Sequence, residues 1–288
     1  TGVRLDGQYT QILETIALRR RLIYSEPAQQ IILGNIIMLK LILAVCLFLT
    51  QLLPAVANAA DEDLRWRLGV EAGPVWQSRN DVQIPGDSGT RFSLADLSGE
   101  GPYPFVRLEL FYDINKRHSL RFLLAPFEYS ETGVLDKDVF FVDQTFDAGQ
   151  STDASYRFNS YRATWRYLFF QNEKWQWRVG ATAKIRDAEI TLKQDGRSSS
   201  DSNVGVVPLL NLYGEYQLAD RWRFIFDFDG LASPQGRAVD LGLFAYYDIN
   251  SRWYAGGGYR TLEGGADNDT VYNFAWFNYL SLSAGYRF

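Results

Sequence analysis

Three residue types are almost missing from this 288-residue chain, which has one cysteine, one methionine and one histidine. The lone Cys46 has no partner for an internal disulfide, and it excludes a cysteine-rich zinc site. The lone His118 excludes any mechanism that needs two imidazoles. Long apolar runs are also lacking beyond the first sixty residues. The mean hydropathy of −0.20 speaks against a polytopic helical membrane protein. A net charge of −5 makes nucleic acid a poor partner. No metal-ligand spacing stands out, so neither a metal nor a cofactor is expected.

The single methionine and the single cysteine both fall in the one long apolar stretch. From Met38 it reads MLKLILAVCLFLTQLLPAVANAA: Lys40 in a short basic start, an apolar run over 41–53, Pro54 as breaker, and Ala57-Asn58-Ala59 as a small-residue cleavage site. That order predicts a signal peptide over 38–59, with a transmembrane anchor over 31–53 as the alternative reading. Residues 1–37, which hold no methionine, read as an untranslated or disordered extension, and residues 60–288 as the folded part.

After Ala60 the pattern has period two. In the last segment Tyr272, Phe274, Trp276, Leu280, Leu282, Tyr286 and Phe288 alternate with Asn273, Ser281, Ser283 and Arg287. Trp222, Phe224, Phe226 and Phe228 alternate with Arg223, Asp227 and Asp229, and Trp175, Trp177 and Val179 with Arg178, Thr182 and Lys184. Residues i and i+2 share one face of a strand, so each segment has an apolar face and a polar one. A soluble sandwich alternates too. Long strands with Trp and Tyr gathered at their ends favour a sheet that faces lipid outside and a polar lumen inside.

Tight polar links at 113–118, 171–174, 219–221 and 248–252 alternate with longer connections at 77–101, 130–154, 194–203, 232–236 and 263–269. About ten strands follow, near 63–76, 102–113, 118–129, 155–170, 175–192, 204–218, 221–231, 237–248, 252–262 and 272–288. The expected fold is all-β, a transmembrane antiparallel up-and-down barrel. Tyr-Asp-Ile-Asn occurs twice, at 112–115 and 247–250, which reads as one turn solution used twice. The 194–203 link, rich in serine, reads as a flexible loop. The 130–154 link carries the apolar patch Val139–Val142, which predicts a lid or an extra hairpin.

Signal peptide, alternating turns and the C-terminal series Leu280, Leu282, Tyr286, Phe288 together resemble the small bacterial outer-membrane β-barrels. The resemblance spans nearly all of 60–288. It implies contact with outer-membrane lipid and lipopolysaccharide, and recognition of the C-terminal series by the barrel-assembly machinery. Barrel enzymes of this class (proteases, lipid A acyltransferases and deacylases, phospholipases) rely on a histidine near the outer leaflet. Here His118 sits at a tight turn on the opposite side.

The inward-facing positions carry the chemistry. Arg65, Arg67, Arg107, Arg121, Arg162, Arg166, Arg178, Lys184, Arg186, Arg223, Arg260 and Arg287 face Glu71, Glu109, Glu215, Asp227, Asp229 and Asp240. Hairpin registers counted from the turns set Asp240 opposite Arg260, Glu215 opposite Arg223, and Glu109 opposite Arg121. Asp227, Asp229 and Asp240 form a carboxylate group near the Ser233–Gly236 turn, for which Lys184, Arg186 and Arg260 are the expected counter-charges, since like carboxylates in proximity need a cation or a proton. The favoured reading is a charge-filled lumen in a non-enzymatic barrel with a structural or surface-binding envelope role. A narrow anion-preferring channel and a histidine-free lipid-modifying enzyme are the alternatives.

Overall fold

The computed structural model describes residues 64–288; the expected signal peptide and the segment before it lie outside the described residues. Fourteen strands and one short helix follow in chain order: β1 (Trp66–Gln83), β2 (Phe92–Ser93), α1 (Leu94–Ser98), β3 (Tyr103–Asp113), β4 (His118–Ala125), β5 (Glu128–Val134), β6 (Val139–Phe141), β7 (Gln144–Phe146), β8 (Ser151–Gln171), β9 (Trp175–Gln194), β10 (Arg197–Ala219), β11 (Trp222–Ser233), β12 (Gly236–Asp248), β13 (Trp253–Asp267) and β14 (Tyr272–Arg287). Ten of them, β1, β3, β4 and β8–β14, form an antiparallel ring. β14 closes it on β1 from Arg67↔Arg287 to Gln83↔Tyr272, with one irregularity between Gln77 and Arg79. β5 pairs with β8 beyond the end of β4.

The alternation sorts the side chains as expected. Leu282 (74% exposed), Leu280, Leu243, Phe224 and Val179 stand on the outer wall, while Glu71, Arg107, Arg121, Arg162, Asp229 and Arg260 are buried inside. An apolar wall around a charged interior suits hydrocarbon outside, and ring closure leaves the spanning strands no open edge there. Cross-strand aromatic pairs ring the short-turn end: Trp66–Tyr112, Trp175–Tyr216, Trp222–Tyr247 and Trp253–Tyr286, with centroids 4.4, 4.5, 5.2 and 4.7 Å apart. This is the girdle that amphipathic rings form at a membrane–water interface.

One turn chemistry recurs. The side-chain oxygen of Asn115 accepts from the backbone N–H groups of Arg117 and His118, and that of Asn250 from Arg252 and Trp253. Asn172 does the same with Lys174 and Trp175, and Asn268 with Thr270 and Val271. The repeated Tyr-Asp-Ile-Asn therefore supplies the same asparagine-capped turn twice.

The long-loop end is closed by a cap. Between β1 and β3 the chain crosses α1, whose first turn is capped by Ser93 accepting from Asp96 N–H at 3.1 Å. The 130–154 link forms the extra hairpin β6–β7. Phe140 O accepts from Thr90 N–H and Val142 N–H donates to Ile84 O, both at 2.9 Å, which joins the two segments. Leu94, Leu97, Val139, Phe141 and Phe146 then pack with the barrel residues Phe127, Tyr129, Tyr156, Leu192, Leu262 and Phe277 in one buried apolar cluster.

Two expectations need correction. Residues 194–203 are a continuous hairpin, because Asp195 and Gly196 take left-handed conformations (φ 48° and 79°) and make the tight turn that an Asp-Gly pair favours. The registers counted from the turns are two residues off. Asp240 lies opposite Leu262, Glu215 opposite Ile225, and Glu109 opposite Leu123. The asparagine-capped turn explains the first case: a hydrogen bond from Ile249 N–H to Trp253 O makes the loop wider than an Asp248–Arg252 closure. A slip of two preserves the face, so all three pairs survive as diagonal contacts.

Candidate functional site in the lumen

Five arginines and five carboxylates meet inside the barrel. Glu71 comes from β1, Arg107 and Glu109 from β3, Arg121 from β4, and Arg162 and Arg166 from β8. Asp227 and Asp229 come from β11, Asp240 from β12 and Arg260 from β13. Every one is buried. Arg121 holds Asp227 at 2.6 Å and Asp229 at 2.5 Å, and stands 3.9 Å from Glu109. Arg166 holds the other oxygen of Asp227 at 2.6 Å. Arg260 reaches Asp240 at 2.6 Å and Glu71 at 3.1 Å, and Arg107 lies between Asp240 at 3.5 Å and Glu71 at 3.7 Å.

Asp229 and Asp240 are directly opposite each other across β11 and β12, an arrangement that repels unless a cation intervenes. Arg162 supplies it, with Nη1 at 2.9 Å from Asp229 and Nη2 at 2.7 Å from Asp240. Neutral groups add further hydrogen bonds. Thr182 donates to Asp229 at 2.7 Å, Asn211 donates to Asp229 at 2.8 Å, and Arg166 donates to the Asn211 oxygen at 2.8 Å. The charges in this belt sum to zero. Desolvating ten charged groups is repaid only by such close and repeated pairing.

Toward the short-turn end a second layer adds Arg223, 3.3 Å from Glu215 and 2.8 Å from Asp248, with Arg287 2.5 Å from the other Asp248 oxygen. The cavity between the two layers, lined by Glu71, Glu109, Tyr213, Tyr254 and Arg260 among others, holds about 40 Å³. That admits a few waters at most. Outside the cap, an open recess of about 570 Å³ is lined by Asp81, Arg91, Asp96 and Lys137 among others.

The sequence-derived carboxylate group is therefore brought together with Arg260, and with Arg121 from a different expected pair. Lys184 and Arg186 do not act as its counter-ions. Lys184 Nζ lies 4.8 Å from the Phe158 ring, and Arg186 donates to the Asn203 side-chain oxygen. Arg107, Arg162, Arg166 and Glu71 take part instead. Their inward parity was readable, but apart from Glu71 and Arg107, which are opposite each other on adjacent strands, their ion-pair partners lie 61 to 189 residues away, where hairpin counting does not reach.

The C-terminal series stands as expected on the outer wall, with Leu280 56% exposed. Tyr286 packs at a tilt against Trp253 and stacks on Phe288, and Phe288 exchanges two 2.9 Å backbone hydrogen bonds with Trp66. His118 is at the short-turn end, where its Nδ1 accepts from Trp165 Nε1 at 3.3 Å. Among the described residues no group of three His, Cys, Asp or Glu side chains is placed to hold a metal ion.

No protein-family model matches the chain, and no curated protein matches it. Solved structures similar to it include the outer membrane protease OmpT of Escherichia coli, with 10% identity and a TM-score of 0.44 over 78% of this chain and 97% of that one. The attachment invasion locus protein Ail of Yersinia pestis, in complex with a heparin analogue, shows 14% identity and a TM-score of 0.37 over 78% and 99%. Neisserial surface protein A shows 13% and 0.34 over 77% and 97%. At these identities and scores none of the three assigns an activity or a ligand to this chain.

Proposed function

We propose that this chain is an integral outer-membrane barrel with a plugged lumen, serving a structural or surface-binding role in the envelope. The observation that carries this is the lumen itself: a charge-balanced belt of ten buried groups, with a cavity of about 40 Å³ beside it, beneath an apolar cap. A pore needs a continuous wet path, and ten buried charges drawn into ion pairs across the lumen obstruct one. In this reading the short turns face the periplasm and the cap faces outward. The outer wall contacts lipid and lipopolysaccharide, and the C-terminal series ending in Phe288 serves the barrel-assembly machinery.

The lone histidine bears on the enzyme alternative. His118 is held at the short-turn end by Trp165 and Tyr167, the side away from the outer leaflet in this orientation. The test is to express the chain in a Gram-negative host, isolate the outer-membrane fraction, and compare boiled with unboiled samples on a gel. A heat-dependent mobility shift in that fraction, together with liposomes that do not swell in small sugars once the protein is inserted, is the expected result. Absence of the shift would overturn the barrel reading, and swelling would overturn the plug.

A further inference from the structure

Lys184 is a lumen cation that the belt does not use. It is 4% exposed, and among the described residues it forms neither an ion pair nor a hydrogen bond, with only the Phe158 ring against its ammonium. Its register sharpens the anomaly. Lys184 is directly opposite Arg162 across β8 and β9, and Arg186 is directly opposite Ser160 on the same face. Like charges directly opposite each other are destabilising, and Arg162 already serves two carboxylates.

The charges its register sets beside it are both cations, Arg162 opposite and Arg186 along the same face, and the carboxylates on that side are already engaged: Arg162 binds Asp229 and Asp240, and Arg260 binds Asp240 at 2.6 Å. Nε of Arg186, on the same face, is a buried donor without an acceptor. The ten-residue belt is balanced without Lys184, so its ammonium has no carboxylate partner there. Buried charges are ordinarily paired.

We propose that the lumen holds one small monovalent inorganic anion, of the chloride class, against Lys184 with Arg186 at its side. One negative charge answers the Lys184 ammonium, since Arg186 is only half-buried and already reaches Asn203. The anion is a structural component of the plug, sealed between the ionic belt and the aromatic underside of the cap. The proposal rests on the plugged-lumen reading. Its failure is distinguishable, because solute uptake reports on the plug and the position of a heavy halide reports on the anion.

Crystals of the refolded full barrel grown with bromide in place of chloride should show an anomalous peak within hydrogen-bond reach of Lys184 Nζ. In detergent at fixed ionic strength, chloride should raise the unfolding midpoint over gluconate by about 2–4 °C. K184M should abolish that difference, with K184Q as a second variant should K184M fail to refold. No bromide peak at Lys184, a native midpoint indifferent to chloride, or an undiminished chloride effect in the variant that folds would each overturn the proposal.

Discussion

Arg121 is the strongest single test of how the belt is held. Its side chain is fully buried, and its two terminal nitrogens hold Asp227 at 2.6 Å, Asp229 at 2.5 Å and the Thr164 hydroxyl at 3.1 Å. In R121M the side-chain volume is nearly kept and the charge is lost. Of its charged partners Asp227 then retains Arg166 at 2.6 Å and Arg260 at 3.8 Å, and Asp229 retains only Arg162, which must also answer Asp240, beside the neutral donors Thr182 and Asn211. Removing one partner of a buried ionic network costs about 3–5 kcal/mol. At about 2–4 °C per kcal/mol for a domain of this size, the unfolding midpoint should fall by about 6–20 °C. The assay is the temperature at which the folded gel band is lost, supported by a urea titration followed by tryptophan fluorescence in micelles. Removing the stranded charge as well, in R121M/D227N, should recover about half of the loss or more, since a neutral pair no longer carries an unpaired buried ion. A midpoint for R121M within about 0.5 kcal/mol of native, or a double variant less stable than R121M, would refute the reasoning.

Three further outcomes follow from the fold. F141A removes a fully buried ring from the cap at a cost of about 3–5 kcal/mol; limited proteolysis should cut within 136–150 while the heat-dependent gel shift persists. G285V places a side chain where a Cβ would lie 2.1 Å from the Tyr254 ring, so it should lower the unfolding free energy in a urea titration by about 1–3 kcal/mol. N250A deletes the acceptor of two turn hydrogen bonds; a loss of about 0.5–1.5 kcal/mol in a urea titration is expected, and N115A should behave alike.

Much of this architecture was legible because one rule, alternation with period two, governs every spanning strand. The face of Asp227, Asp229, Arg223 or Leu282 could be read from its neighbours alone, and the ten staves came from the alternation of short and long links. Register was harder. The turn at 248–252 is widened by Asn250, which shifts Asp240 from opposite Arg260 to opposite Leu262, yet parity kept the two on one face and in contact. The 194–203 segment was misread because its serines outweighed Asp195-Gly196, the pair that makes the hairpin. Much of the pairing within the belt could not be read from local pattern. Arg107 reaches Asp240 133 residues away and Arg121 reaches Asp229 108 residues away, and such contacts appear only when the ring closes. Lys184 shows the opposite case, a residue of the right charge on the right face whose register sets it against Arg162 rather than against a carboxylate.

The central claim is that the lumen is filled by its own charges. Planar-bilayer recording on the refolded, heat-modifiable barrel tests it directly. The account predicts no steady unitary current in molar salt for the native chain. Stable, uniform conductance steps from that same folded species would contradict it.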